Sequence, residues 1–254
     1  MKRCFKLIVE YDGTLFFGWQ RQPKGTTIQG ELESAIGHIL NQKISIRGSG
    51  RTDAGVHALG QVAHFHARTQ MDPLVLKKGL NSFIKSTIVI RGCSVEEDTF
   101  HAQYQARSKE YNYYILNRPD PCAVGDAYLW HLKQPLDLAL MNQCCDLMTG
   151  VHDFKSFENT GSPRTSSIRE VFFARVESFD AGAAPFQKDL VVFKISASGF
   201  LKNMVRNIMG TLVDVGLKKI DPKKFEAILM ARDRKLAGKT APAKGLFLKQ
   251  VNYL

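Results

Sequence analysis

The sequence predicts a fold that mixes helices and strands throughout, and three observations carry that expectation. Of 254 residues, 44% are apolar and 23% charged, the balance of an ordinary globular chain. Segments with period-2 hydrophobicity alternate with segments of helical period in both halves. Few long loops and no low-complexity linker separate them, so a soft boundary near Tyr104 divides residues 1–104 from 105–254, and the halves are expected to share an interface.

Phe5 to Tyr11 reads as a strand with Phe5, Leu7 and Val9 on one face, ended by the Asp12-Gly13 turn. Thr26 to Gln42 reads as a helix. Ile28, Leu32, Ala35, Ile36, Ile39 and Leu40 fall at helical spacing, and Thr26 with Gln29 makes a capping box. Ile44 to Arg47 reads as a strand, Gly48 to Gly55 as a loop, and Gln61 to Ala67 as an alternating strand. Asp72-Pro73 opens a helix through Phe83, and Ile88 to Ile90 is strand-like. Tyr111 to Leu116 is an aromatic strand broken by Asn117-Arg118-Pro119-Asp120-Pro121, and Asp137 to Met148 is a helix. Glu158 to Ser167 is a polar loop. Ser167 to Phe179 and Leu190 to Ser198 are strands joined by a hairpin at Asp180-Ala181-Gly182. Phe200 to Val215 and Pro222 to Ala231 are helices, and Gly245 to Val251 is a last strand.

Charge narrows the function. Lys plus Arg is 35 against 24 for Asp plus Glu, a net +11. That surplus favours a polyanionic partner, and nucleic acid over membrane, since no basic amphipathic anchor and no apolar run of ~18–20 residues is present. The basic start Met1-Lys2-Arg3-Cys4 leads directly into an alternating segment carrying Lys6 and Glu10, unlike a signal peptide, so a cytoplasmic location is expected. The five cysteines, without any C-x-x-C pair, read as reduced thiols rather than a disulfide framework or zinc site.

The most unusual segment is Gly48-Ser49-Gly50-Arg51-Thr52-Asp53-Ala54-Gly55. Its glycines permit sharp turns that push short polar side chains into solvent or a cleft. It is not a Walker A loop, because no Lys-Ser/Thr follows the glycines, and Asp53 stands where a dinucleotide motif needs its third glycine. Such a loop is commonly only a turn. Here Arg47, Arg51 and His57 make the surroundings electropositive, which keeps Asp53 ionised and competent as nucleophile or base.

Several runs together resemble the tRNA pseudouridine synthase A family. They are Tyr11-Asp12-Gly13-Thr14 with Gly18-Trp19-Gln20, then Arg51-Thr52-Asp53-Ala54-Gly55-Val56-His57-Ala58, the most specific of the set. Phe100-His101-Ala102, Lys109 to Tyr113 and His152-Asp153-Phe154 follow in order, then Phe200 to Asn207 and Ala237 to Leu246. The resemblance covers essentially the whole chain. It implies an α+β architecture, the pseudouridine synthase fold: two mixed α/β halves around an extended antiparallel sheet, with Asp53 in a basic cleft, and a homodimer. It implies isomerisation of uridine to pseudouridine at positions 38–40 of the tRNA anticodon stem-loop, with no redox cofactor and no metal.

Asp53 matches the family's essential aspartate; attack at C1′, addition at C6 and base chemistry on the sugar all remain open to it. The uridine leaves the stack at a cost of a few kcal/mol. Arg51 then fills the gap or holds flanking phosphates, or else supports the loop. Tyr111 matches the active-site tyrosine that stacks on extruded uracil, although strand packing is the ordinary alternative. Arg206 lies at the edge of an apolar arc counted from Phe200, where an arginine snorkels; the resemblance instead pairs it with the catalytic aspartate. Lys202 and Gln103 depart from the family's frequent histidine and arginine. His64 and His66 share a strand face without further ligands to complete a metal set. His152-Asp153 lacks a nucleophile for a hydrolase triad. Arg232, Arg234, Lys235, Lys239 and Lys244 read as a solvated face, some of whose cations also suit the tRNA backbone. The rivals are a non-catalytic RNA-binding protein, which has no use for the carboxylate, and a ribonuclease or glycosidase, which needs a second catalytic carboxylate or a His pair.

Overall fold

A computed structural model describes residues 2–84, 87–159, 161, 166–179 and 189–253. The elements run β1 (Lys2–Tyr11), α1 (Ile28–Leu40), β2 (Arg47–Gly48), β3 (His57–Arg68), α2 (Pro73–Phe83), β4 (Ile88–Glu96) and β5 (Ser108–Asn117). They continue with β6 (Trp130–Leu132), α3 (Leu138–Met148), β7 (Gly150–Asp153), β8 (Ile168–Phe179), β9 (Leu190–Ala197), α4 (Met204–Gly216), α5 (Pro222–Ala231) and β10 (Leu246–Asn252). The chain divides into two units, Met1–Arg107 with Phe247–Leu254, and Ser108–Leu246. The hairpin expected at Asp180-Ala181-Gly182 and much of the polar loop after Glu158 lie outside the described residues.

In the first unit β1 lies between β3 and β4, antiparallel to both. The predicted face of Phe5, Leu7 and Val9 is fully buried, while Ile8 on the other face is exposed. The last strand joins this sheet in parallel, Phe247 opposite His57 and Leu248 opposite Ala58. Helix α1 departs from its expected capping box. Thr27, not Thr26, is the N-cap, its hydroxyl accepting from Gly30 N–H. Gln29 therefore caps nothing and reaches sideways, its Nε2 donating to Glu33 Oε1 (2.9 Å) and to the Ile46 carbonyl (3.2 Å). Glu33 Oε1 in turn accepts from Ile46 N–H (2.9 Å). These side chains replace ladder partners, so the strand expected at Ile44–Arg47 shrinks to Arg47–Gly48, although Ile44 and Ile46 are buried. Helix α2 starts as predicted, with Asp72 capping Leu74 N–H and Pro73 in the first turn.

The second unit carries β9 between β5 and β8, with β7 outside β8, all antiparallel, and β6 parallel to β5. Asp137 and Asp221 cap α3 and α5 through Leu140 and Lys224 N–H. The helix expected from Phe200 begins only at Met204. Asn203 adopts φ 59°, a left-handed conformation that breaks the helical path, so Phe200 to Lys202 form its approach. Beyond that break the predicted apolar residues Met204, Val205, Ile208, Met209, Leu212 and Val213 are all buried. Each unit is thus a mainly antiparallel sheet with helices, the mixed α/β construction read from the sequence. Among the described residues no helix is long and apolar enough to cross a membrane.

Candidate active site

The loop between β2 and β3 is fastened at both ends by buried polar groups. At its start Ser49 N–H donates to the Val62 carbonyl (2.7 Å), Ser49 Oγ to Gln61 Oε1 (2.7 Å), and Gln61 Nε2 to the Gly50 carbonyl (3.0 Å). In its middle the buried Thr52 carbonyl accepts from Trp19 N–H (3.1 Å), and the Thr52 hydroxyl lies 2.8 Å from the Tyr11 hydroxyl. Burial pushes the Tyr11 phenol up to about 12, so it stays protonated for that bond. At its end Val56 N–H donates to the Asp53 carbonyl (3.2 Å), closing a turn with Gly55 at φ 76°. A positive φ in the third position of such a turn suits glycine.

The preceding motif is explained by close approach to this loop. A Cβ on Gly13 would stand 2.0 Å from the Val56 carbonyl oxygen, and one on Gly18 would stand 2.6 Å from that of Thr52. Trp19 is buried, and a Cβ on Gly48 would strike its indole at 2.6 Å. Gln20 Oε1 accepts from the exposed Arg51 Nε (3.2 Å), which holds that side chain beside the loop.

Asp53 is half-buried between exposed Arg51 and Ala54, with Thr52 turned inward. Its surroundings differ from the sequence expectation in one respect. His57 is not a surface cation: it is 1% exposed and stacks on Phe247 with ring centroids 4.6 Å apart. Its Nδ1 accepts from Gly13 N–H (3.0 Å) and lies 3.1 Å from Asp12 Oδ1, so it fastens the turn after β1. The β-ladder explains the difference, because His57 opens β3 opposite Phe247 on an inward face. Arg47 and Arg51 remain exposed.

In the second unit Tyr111 stands on β5 opposite Ile195, buried, with Phe200 edge-on at 5.0 Å. Tyr113, two residues on and on the same face, is core: its hydroxyl donates to the Pro242 carbonyl, and burial drives its pKa up. Arg206 lies in the first turn of α4, where the helix dipole disfavours a cation. Two acceptors offset this: Nε donates to the Ala241 carbonyl (2.7 Å) and NH1 to Asn203 Oδ1 (3.0 Å). The Ala241 N–H returns a bond to the Arg206 carbonyl (3.1 Å). A simple snorkelling arginine would not be held in this way. Lys202 and Gln103 are exposed.

Sequence reasoning missed the polar cluster behind Arg206. Asn207 is fully buried; its Nδ2 donates to the Phe157 carbonyl and Asn159 Oδ1, and its Oδ1 accepts from Arg234 NH2 (2.9 Å) and Thr240 Oγ1 (2.7 Å). Arg234, expected to be solvated, is half-buried here, and desolvation lowers its pKa. The signal was present: Asn207 and Thr211 lie one turn apart beside an apolar arc, and buried polar groups need partners. Gly210, on the same side, brings α4 so close to the Lys239 carbonyl that a Cβ would stand 1.7 Å from it.

The histidine pair reads differently in space. His64 is buried and its Nδ1 accepts from Ala102 N–H (3.1 Å). Burial, then His101 and His66, lower its pKa to about 4. Among the described residues no group of three or more His, Cys, Asp or Glu is placed to hold a metal ion. His152 turns its Nε2 to the Thr149 carbonyl, and Asp153 pairs with Arg232 (3.0 Å).

Comparison with known proteins agrees with these motifs. The sequence profile of the tRNA pseudouridine synthase family matches residues 7–105 and 145–254. A tRNA pseudouridine synthase A from Thermoanaerobacter sp. (strain X514) is 40% identical over 251 residues, covering 99% of this chain and 100% of its own. One from Clostridium perfringens (strain 13 / Type A), tRNA pseudouridine synthase A 2, is 39% identical with the same coverage. One from Syntrophotalea carbinolica is 40% identical over 98% of this chain and 95% of its own. With such identity sustained from end to end, this chain belongs to the tRNA pseudouridine synthase family.

Proposed function

We propose that this protein isomerises uridine to pseudouridine at positions 38–40 of the tRNA anticodon stem-loop, with Asp53 as the catalytic residue. Arg51, Tyr111 and Arg206 are its substrate contacts, and it acts as a cytoplasmic homodimer. The reaction breaks the N1–C1′ bond, turns the base and joins C5 to C1′; the proton lost from C5 is balanced by one gained at N1. No electrons are exchanged.

The observation that supports this most directly is the fastening of the Asp53 loop. Its flanking residues Thr52 and Val56 are tied down while the carboxylate between them remains half-exposed. A chain that only bound RNA would gain nothing from holding a negative charge so firmly beside phosphates. All three routes open to Asp53, at C1′, at C6 or on the sugar, need an ionised carboxylate in a fixed place. Arg51, held by Gln20, extends beside the loop where a displaced base or a phosphate is met. Tyr111, held on β5 with Phe200 edge-on against it, is the aromatic side chain assigned to uracil.

The test is incubation with unmodified tRNA transcripts, followed by chemical mapping of pseudouridine. Pseudouridine within positions 38–40 is the expected result. Tight tRNA binding without any pseudouridine favours the non-catalytic rival. Light scattering of the purified protein checks the dimer, and a monomeric mass removes it.

A further inference from the structure

We propose that Tyr104 is a stacking platform for an unpaired nucleobase of the RNA substrate, a contact additional to the Asp53 loop. The inference rests on the reading of this chain as a tRNA-modifying enzyme. Tyr104 is 79% exposed, the most exposed large apolar side chain among the described residues. Its ring lies nearly parallel to His101, with centroids 4.1 Å apart and planes 18° apart, so one face is covered and the other meets solvent.

The ring is held in place before any ligand arrives. His101 Nδ1 accepts from both Gln103 and Tyr104 N–H (3.2 Å each). Gln105 closes the turn in both directions, its N–H donating to the His101 carbonyl and its Oε1 accepting from His101 N–H. A preordered aromatic surface loses little entropy on binding. The turn is also tied to the frame of the candidate site. Ala102 N–H donates to His64 Nδ1, while the Ala102 carbonyl accepts from the Tyr253 hydroxyl (2.6 Å), which also interacts with the Ser49 side chain at the base of the Asp53 loop.

The choice of a base rather than a protein follows from what surrounds the ring. Its sequence neighbours Gln103 and Gln105 are exposed and polar, so this stretch of chain offers one flat ring rather than an apolar run. One ring is far too small for a protein interface but matches the face of one base. The Gln105 amide is turned into the loop, bonded to His101 N–H and the Thr99 carbonyl, which leaves the exposed Gln103 amide as the one suited to a base edge, and the net charge of +11 draws the polyanion to the molecule.

The experiment measures affinities of wild type, Tyr104→Ala and Tyr104→Phe for a transcribed tRNA and for a blunt RNA duplex, across salt. Loss of one stacked base is expected to weaken tRNA binding by about 5- to 150-fold in Tyr104→Ala, with an unchanged salt slope. Tyr104→Phe keeps its affinity, and duplex binding is unaffected by either change. Tyr104→Ala binding tRNA within twofold of wild type overturns the platform, as does an equal loss on the duplex. A changed oligomeric state in Tyr104→Ala overturns it in favour of a protein contact. Pseudouridine formation by the wild type is assayed alongside: if that is present, a negative result strikes the platform alone, and if it is absent, the functional reading falls with it.

Discussion

Gly13 and Val56 stand so close that a single Cβ on the glycine would reach 2.0 Å from the Val56 carbonyl oxygen. The turn after the first strand is therefore pressed against the backbone that follows Asp53. Gly18 makes the second such contact, at Thr52. The position of the proposed catalytic carboxylate is set by backbone packing on residues some forty positions earlier.

Substitution of these glycines should injure both stability and turnover. Gly13→Ala and Gly18→Ala are each expected to cost about 1–3 kcal/mol through overpacking, with Gly18 also leaving a favourable φ of 89°. Turnover is expected to fall more than tRNA affinity, because the loop shifts while the basic surface remains. Gly79→Ala is the control: its Cβ would meet only Ile39 Cδ1, at 3.6 Å, and a helical alanine should stabilise by about 0.5–1 kcal/mol. Thermal unfolding and single-turnover rates compare the three variants, and a Gly18→Ala protein with normal rates would sink the packing argument.

Asp53→Asn keeps the shape of the side chain and removes its charge. Pseudouridine formation should fall by at least ~10³-fold. Affinity for tRNA should stay the same or tighten slightly, because a negative charge has left the loop beside Arg51. Single-turnover rates and binding titrations measure the two quantities separately. Near-normal turnover in Asp53→Asn removes the catalytic role.

The Asn207 cluster should govern Arg206 at one remove. Arg234→Met and Thr240→Val each deprive Asn207 Oδ1 of a partner, which should cost about 1–3 kcal/mol of stability. They also loosen the 237–242 segment whose Ala241 carbonyl holds Arg206, so kcat/KM should drop. Thr240→Ser retains the hydroxyl and is expected to restore both. Equal turnover in Thr240→Val and wild type would separate the cluster from the chemistry.

His64 should make folding stability depend on pH. Burial lowers its pKa from 6.5 to about 4, so the folded state holds it neutral while the unfolded chain takes up a proton first as pH falls. The stability is present above about pH 6.5 and is lost progressively down to about pH 4, by an amount of order 2–3 kcal/mol. Denaturant titrations of wild type and His64→Gln across that range should converge as the pH is lowered. Parallel curves would mean that another group is responsible.

Capture of tRNA should weaken steeply with salt. For every two phosphates neutralised, counterion release predicts roughly a tenfold loss of affinity between 50 and 200 mM salt. The net charge of +11 is ample for several such contacts. An affinity flat across that range would contradict an electrostatic origin of binding.

Local chemistry explains where the sequence was legible. Alternation placed Phe5, Leu7 and Val9 on the buried face of β1, and Asp72-Pro73, Asp137 and Pro222 marked helix starts that the structure reproduces. These signals work because capping and side-chain period involve neighbours in sequence. The departures share the opposite cause. Gln29 and Glu33 take Ile46 out of the expected strand through bonds across 13–17 positions, and Asn203 ends the run from Phe200 with one left-handed residue.

For the site, residue type and order along a short stretch were enough to mark the loop bearing Asp53, the neighbouring Arg51, and the family in which such a loop occurs. They were not enough for the partners. It took the folded chain to make His57 a buried fastener of the turn at Gly13, to grip Arg206 with Ala241, and to draw Arg234 out of solvent towards Asn207. Burial and hydrogen-bond partners depend on which distant segments meet. Periodicity reports which face of a helix or strand is apolar, but not which backbone carbonyl or amide will arrive opposite its polar edge.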